Sequence, residues 1–427
     1  MTENLLQFIW QFQYLDLHSL CTTEGHPLQI IKPGTLNRHQ GPDFINAQIK
    51  IGKTIWAGNI EIHTYSTQWL NHKHQDDPQY DNVILHVVWT FEEEIRNSQG
   101  QKIPSLEIQS RVSNILLQRY EDLMQSKKFV PCAAHLPVLN ELAWTAWKQR
   151  LAIERLERKS KDIIALPVSH QMHWEEIFWW LLARNFGTKV NAETFELIAK
   201  SIPLNFLAKN KNQLLVIEAL LLGQAGLLKQ QFEDDYPIVL QKEYQFLAKK
   251  YKLKPVHLSP AFLRMRPANF PTIRLSQLAK LISISSHLFS KILEIKTLTE
   301  VRELLDVTAN DYWHYHYTFD HATPYKPKRL GSQMIDNIVI NTIIPVLFAY
   351  GIYKNDLLCK EKAMHWFTQT PSEKNTIIKD WKLLGLSSAN ALESQALMEL
   401  KNNYCQFKRC LDCTVGYHIL KQNAMAS

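Results

Sequence analysis

Near Pro104 the apolar residues change their spacing, and that change limits what the chain can become. Before it, apolar and polar residues alternate in short runs bounded by Gly, Pro and Asn, the period of strands. After it they recur every three or four residues over long stretches, the period of helices. With 427 residues, 45% of them hydrophobic, the chain has apolar surface for more than one core. The reading is an α+β protein, with a mixed head over residues 1–115 and a large, mostly α-helical region over 116–427.

Within the head, Leu5, Phe8, Ile9 and Phe12 stand at helical spacing and predict a helix over 3–14. Pro27 and Lys32-Pro33-Gly34 bracket a strand over 28–31. Residues 44–51 alternate, Gly52-Lys53 turns the chain, and 54–63 returns, which together read as a hairpin. A short helix is expected over 66–74. The run Val83-Ile84-Leu85-His86-Val87-Val88-Trp89 is apolar and β-branched, as a central strand buried on both faces requires. The order is αβββαβ. Farther on, helices are expected over 144–161, 174–186, 213–222, 274–295, 334–350 and 389–420, and an extended segment over 312–317.

Asp43 opens the first hairpin strand in Gly41-Pro42-Asp43-Phe44, and eighteen residues later comes Glu61-Ile62-His63. Side chains alternate along a strand, so Glu61 and His63 share a face, and closing the hairpin brings Asp43 towards them. Two carboxylates and a third polar group form an oxygen-rich set of the kind Mg²⁺ or Mn²⁺ takes. Asp43 also suits a plain turn after proline, and Glu61, if buried, needs a partner that Arg38 would supply. A second constellation, His72-Lys73-His74 with Asp76, Asp77, Asp81 and His86, would with His63 hold Zn²⁺ or Mn²⁺ as a metallohydrolase. Otherwise His72 and His74 are polar turn residues, and His86 is a hydrogen-bonded core histidine.

The strand order, the Pro42-Asp43 pair and the acid-x-polar triplet resemble the PD-(D/E)XK nuclease superfamily over about residues 1–95. That resemblance implies a restriction-endonuclease-like core and a divalent-metal nuclease or phosphodiesterase, with DNA a more natural substrate than RNA. It implies Asp43 and Glu61 as metal ligands and His63 where that superfamily has its lysine, with Lys73 on the next helix as a substitute. Histidine works as a base near neutral pH but lacks a fixed positive charge. A catalytically silent nucleic-acid-binding or scaffolding protein of the same fold is the alternative. More broadly, Phe8-Ile9-Trp10-Gln11-Phe12, Gly58-Asn59-Ile60-Glu61-Ile62-His63 and Arg266-Pro267-Ala268-Asn269-Phe270-Pro271 resemble an uncharacterised bacterial domain-of-unknown-function family.

Charge is distributed unevenly. Residues 1–100 carry a balance of −5 and the remainder +12, an acidic, histidine-rich head before a body able to attract a polyanion. No run of about 18 apolar residues occurs, and no basic-then-apolar leader opens the chain, so the expectation is a cytoplasmic protein without a membrane partner. Six cysteines are too few for a disulfide scaffold at this length. Three of them stand in Cys405-x4-Cys410-x2-Cys413-x4-His418, a ligand set for Zn²⁺. Some nucleases of the resembled superfamily carry an iron–sulfur cluster on three clustered cysteines and a distant one, here Cys132 or Cys359. Against both, Leu400, Tyr404, Phe407, Leu411 and Val415 place the cysteines on a packed helix, where thiols serve as small apolar groups.

Overall fold

A computed structural model describes residues 1–427 except 137, 171–172, 286 and 422–427. The chain divides into two compact units, Met1–Trp144 together with the segment from Leu400 onward, and Thr145–Glu399. The expected boundary near 115 thus falls inside the first unit. The reason is local: α3 (Asn114–Gln125) carries Arg119, which donates to the Ile419 carbonyl at 3.2 Å, and Lys401 Nζ donates to the Phe129 carbonyl at 2.6 Å.

The first unit is built on a six-stranded sheet. Helix α1 (Glu3–Gln11), capped by Thr2, precedes β1 (Leu28–Lys32), β2 (Thr35–Leu36), β3 (Phe44–Ile51) and β4 (Thr54–Tyr65). A crossover containing the short helix α2 (Gln68–Asn71) then leads to β5 (Val83–Thr90), and β6 (Ser105–Glu107) follows. The sheet runs β1-β3-β4-β5-β6, with β2 also paired to β3. Strands β3 and β4 are antiparallel, while β5 is parallel to β4 and β6 to β5. A parallel pair cannot be closed by a tight turn, so residues 66–82 must cross over the sheet, and this crossover carries His72 and His74. Residues 83–88 are buried on both faces, as the apolar run predicted.

One irregularity in the hairpin decides which face Asp43 joins. Around the Gly52-Lys53 turn Ile51 pairs with Thr54 and Ala47 with Gly58, yet Phe44 pairs with Ile60. An unbroken register would have set Phe44 opposite Glu61 and Asp43 opposite Ile62. A bulge near Asn46, whose φ is +58°, absorbs one residue and brings Asp43 beside Glu61 instead. Because a one-residue slip exchanges the two faces of a strand, the bulge puts Asp43 on the side of Glu61 and His63.

The second unit is helical, with segments that include Trp174–Phe186, Leu214–Gln224 and Pro271–Ile284. By length and composition Ser332–Tyr353 is apolar enough to cross a membrane, but 72% of its apolar window is buried inside the protein. Three expectations need correction. The helix expected over 274–295 is two, Pro271–Ile284 and Leu288–Glu294. The one expected over 389–420 stops after a π-helical turn, Leu400–Cys405, and resumes only at Thr414–Lys421. Residues 312–317 are not extended: Asn310 caps a short helix, Asp311–His314, and the Tyr312 ring stacks on His316 at 4.0 Å.

Candidate metal centre

Five segments of the first unit, α1, the entry to β3, β4, the crossover and β5, deliver polar groups to the site. From α1, Gln7 Nε2 donates to Asp43 Oδ1 at 2.8 Å. From β4, the Ile62 N–H donates to Asp43 Oδ2 at 3.1 Å, and the Asp43 N–H donates to Glu61 Oε2 at 3.0 Å. The two acids are therefore laced together through the backbone. Glu61 is 5% exposed, His63 1% and His86 0%.

The other Glu61 oxygen faces imidazoles. Oε1 lies 3.6 Å from His63 Nε2 and 3.5 Å from His74 Nε2, and His63 Nε2 lies 3.2 Å from His72 Nδ1. The ligand atoms of His63, His72 and His74 all fall within 4.8 Å of one another. Donors bonded to one tetrahedral cation at about 2.0–2.2 Å stand about 3.3–3.6 Å apart, so the three measured separations fit a shared ion. His74 is held in place by stacking on Tyr80 at 3.8 Å, beside a fully buried Trp69 whose Nε1 donates to the Arg96 carbonyl.

His86 acts on the set through His63. Strand pairing sets it opposite Glu61, and its Nε2 is 2.8 Å from His63 Nδ1. The tautomer that leaves the His63 Nε2 lone pair free has Nδ1–H donating to His86, which fixes the ring as an orienting partner does at metal sites. The His86 proton then resides on Nδ1, a buried atom without a hydrogen-bond partner among the described residues.

The electrostatics are those of a site short of positive charge. Burial, followed by the nearby Asp43, pushes Glu61 up to about 9. Burial lifts Asp43 to about 7 and Glu3 adds to the rise, against the hydrogen bonds from Ile62 and Gln7. Burial, then His86, His74 and His72, drives His63 down to about 2. His74 falls to about 4 and His86 to about 3, burial again leading. Among the described residues no lysine or arginine comes within 4.0 Å of the Glu61 carboxylate; Arg38 is 3.7 Å from Asp412 instead. Neutral imidazoles and a disfavoured carboxylate are what a bound cation stabilises.

Of the residues singled out in the sequence, Asp43, Glu61, His63, His72, His74 and His86 come together. Lys73 is exposed, in a left-handed turn at φ +60° between the two crossover histidines. Sequence reasoning missed Glu3 and Gln7; their i, i+4 spacing on α1 was the available signal. A cavity of about 800 Å³ lies elsewhere, in the helical unit, lined by Lys159, Arg184, Arg274 and Asn341 among others. Its polar lining mixes cations and amides with two acids, Asp162 and Glu196, and holds none of the head's imidazoles.

The family model described as "Protein of unknown function (DUF2851)" matches residues 3–376, and the chain belongs to that family. No curated protein and no solved structure matches it.

Proposed function

We propose that this member of the family hydrolyses phosphodiester bonds in nucleic acid, DNA in preference to RNA, at a divalent-metal centre in its head. The observation that carries the reading is the convergence of Glu61, His63, His72 and His74, with Glu61–His63, Glu61–His74 and His63–His72 separations suited to one ion, beside a second acid, Asp43. The order β1-β3-β4-β5, an antiparallel meander closed by a parallel strand after a crossover, supports a restriction-endonuclease-like core. Glu61 and the three imidazoles would hold the ion, and Asp43, oriented by Gln7 and the Ile62 N–H, would add a carboxylate oxygen. When bound, the ion polarises a phosphoryl oxygen and acidifies a coordinated water. Lys73, exposed between two of the ligands, offers the phosphate the fixed positive charge that His63 lacks.

A second reading, hydrolysis of a non-nucleic substrate at the same ligands, is favoured by the imidazoles, since nitrogen donors suit Zn²⁺ or Mn²⁺ better than Mg²⁺. One experiment separates them. The purified chain is incubated with single-stranded, duplex and branched DNA, with RNA and with an activated small phosphodiester, under Mg²⁺, Mn²⁺ or Zn²⁺, beside Glu61→Gln and Asp43→Asn. Nucleic-acid cleavage lost in Glu61→Gln is the expected result. Cleavage that survives both substitutions overturns the site assignment. Hydrolysis of the small diester alone supports the second reading, and nucleic-acid binding without cleavage under every condition supports a silent binding protein.

A further inference from the structure

The cavity of about 800 Å³ in the helical unit is lined by cations that the chain does not neutralise. Arg184 is spent on Glu196, 2.5 Å away, but Arg274 has no acid partner among the described residues. It is 8% exposed, and its Nη1 and Nη2 donate to two neutral amides, Gln277 Oε1 at 2.9 Å and Asn269 Oδ1 at 2.6 Å. Its buried Nε bonds nothing among the described residues. Burial alone lowers this guanidinium to about 10. A buried charge is ordinarily paired, and this one lines a cavity instead.

Lys159, on the helix Glu141–His170, repeats the arrangement. Its Nζ donates to Asn341 Oδ1 at 3.1 Å, an oxygen that also accepts from Arg155 Nη2 at 3.4 Å. The acids in its surroundings are committed: Glu399 takes two bonds from Arg158, and Glu373 takes one from Gln395. Burial, then Arg155, holds the ammonium near about 7, with Arg158 adding to the fall and Glu373 and Glu399 opposing it.

The neutral lining is specific as well. Asn341 and Thr342 come from a π-helical turn, Val339–Ile343, a geometry found frequently at functional sites. Thr342 Oγ1 donates to the Leu181 carbonyl at 3.5 Å and accepts from Asn185 Nδ2 at 3.0 Å. That leaves Asn185 Oδ1, buried and without a partner among the described residues, as an acceptor. An orphaned donor on Arg274 and an orphaned acceptor on Asn185 therefore border one cavity. With Arg184 and Glu196 set against each other, Lys159, Lys189 and Arg274 stand against Asp162, an excess of two positive charges. A phosphate monoester carries about −1.5 to −2 near neutral pH, which matches that excess, whereas a carboxylate supplies one charge. Inorganic phosphate matches the charge but not the space, which is in the range of about 300–1,000 Å³ usual for small-molecule sites.

We propose that this cavity binds a small organic phosphate monoester of mononucleotide size, its phosphate held by Arg274 and Lys159 and its body read by Asn185 Oδ1. The site lies in the helical unit and uses none of the head's residues, so it stands apart from the reading proposed for the head.

The test is calorimetry on the full-length chain in the presence of chelator, so that no metal in the head contributes. The probes are adenosine and uridine 5′-monophosphates, ribose 5-phosphate, adenosine, inorganic phosphate and an unphosphorylated DNA strand. The expected result is binding of at least one monoester at least tenfold more tightly than inorganic phosphate or adenosine. That affinity falls at least tenfold in Arg274→Gln and in Asn185→Asp, whose added acid repels the phosphate. Near about pH 7.5, binding takes up more than about half a proton, read from buffers of different ionisation enthalpy, because the dianion returns Lys159 to its charged form. Lys159→Met abolishes that uptake. No monoester bound more tightly than inorganic phosphate, an affinity unchanged in Asn185→Asp, or no proton uptake by the wild type would overturn the proposal. So would a DNA strand that outcompetes every monoester at these residues. Where Arg274→Gln fails to accumulate, the isosteric Asn185→Asp and the wild-type proton uptake still decide.

Discussion

Glu61 in the sheet and Glu399 at the end of a helix are buried alike, 5% and 4% exposed, yet the chain gives them opposite company. Glu399 takes two bonds from the Arg158 guanidinium, at 2.7 and 3.2 Å, with Arg155 at 3.9 Å. Glu61 has a backbone N–H, a second acid and imidazoles held neutral by burial. Removing a carboxylate from water costs several kcal/mol and is tolerated where a charge partner offsets it. The helical unit contains that partner in its own sequence. Among the described residues the head places no such partner within 4.0 Å of Glu61, which burial keeps protonated instead, and in the proposed reading a divalent cation would supply the positive charge.

The contrast breaks most sharply under a single substitution repeated in both places. Glu61→Gln is expected to lower cleavage by about a thousandfold, or about 4 kcal/mol of transition-state stabilisation, and to abolish Mn²⁺ binding by calorimetry. Its metal-free thermal stability should stay within about 1 kcal/mol of wild type, since an acid raised to about 9 is already protonated near neutral pH. Glu399→Gln should do the reverse: activity unchanged, and stability reduced by about 3 kcal/mol in chemical denaturation, because two guanidinium groups lose their counter-charge. If Glu61→Gln proved the more destabilising of the two without metal, the comparison would fail.

Most of the head was legible because its elements are declared locally. The helix of 3–11, the hairpin and the buried strand each follow from spacing and turn residues, and alternation put Glu61 and His63 on one face. The face of Asp43 was not legible, because it depends on a bulge at Asn46 that no alternation pattern announces. Nor was the arrival of His72 and His74 over the sheet: the crossover is forced by the parallel pairing of β4 and β5, a tertiary choice. In the body, Tyr312 to Tyr317 looked extended because aromatics alternate, whereas a capping Asn310 and ring stacking at i, i+4 made a helical turn.

The next effect is smaller and tests whether His86 orients the centre or merely fills the core. His86→Phe keeps the burial and the packing against Trp69 but removes the bond to His63 Nδ1. Loss of an orienting partner of this kind costs about 10- to 100-fold in metal affinity. Titration with Mn²⁺ should show that weakening, with cleavage restored at saturating metal. Full activity at low metal would leave His86 a core residue and nothing more.

The smallest effect separates charge partners from neutral ones. Glu218 is fully buried in the helical unit and is held by neutral donors, Tyr236 Oη and Trp313 Nε1, the latter at 3.1 Å. Burial raises it from 4.5 to about 7 despite those bonds. The folded state therefore holds a proton that the unfolded chain has released between those two values. Its contribution to stability is complete below about pH 4.5 and is lost as pH rises through about 7, with a slope of at most about 1.4 kcal/mol per pH unit. Lys159 runs the other way. Burial lowers it from 10.5 to about 7, so its contribution is complete above about pH 10.5 and is lost as pH falls through about 7. The two together place a minimum of stability near pH 7. Glu218→Gln should flatten the acid side by about 1 kcal/mol between pH 5 and 6 in denaturant titrations, and Lys159→Met should flatten only the alkaline side. A Glu218→Gln protein that kept the acid slope would show that neutral donors satisfy a buried carboxylate as well as the arginines do at Glu399, and the head's lack of a cation would then no longer argue for a metal.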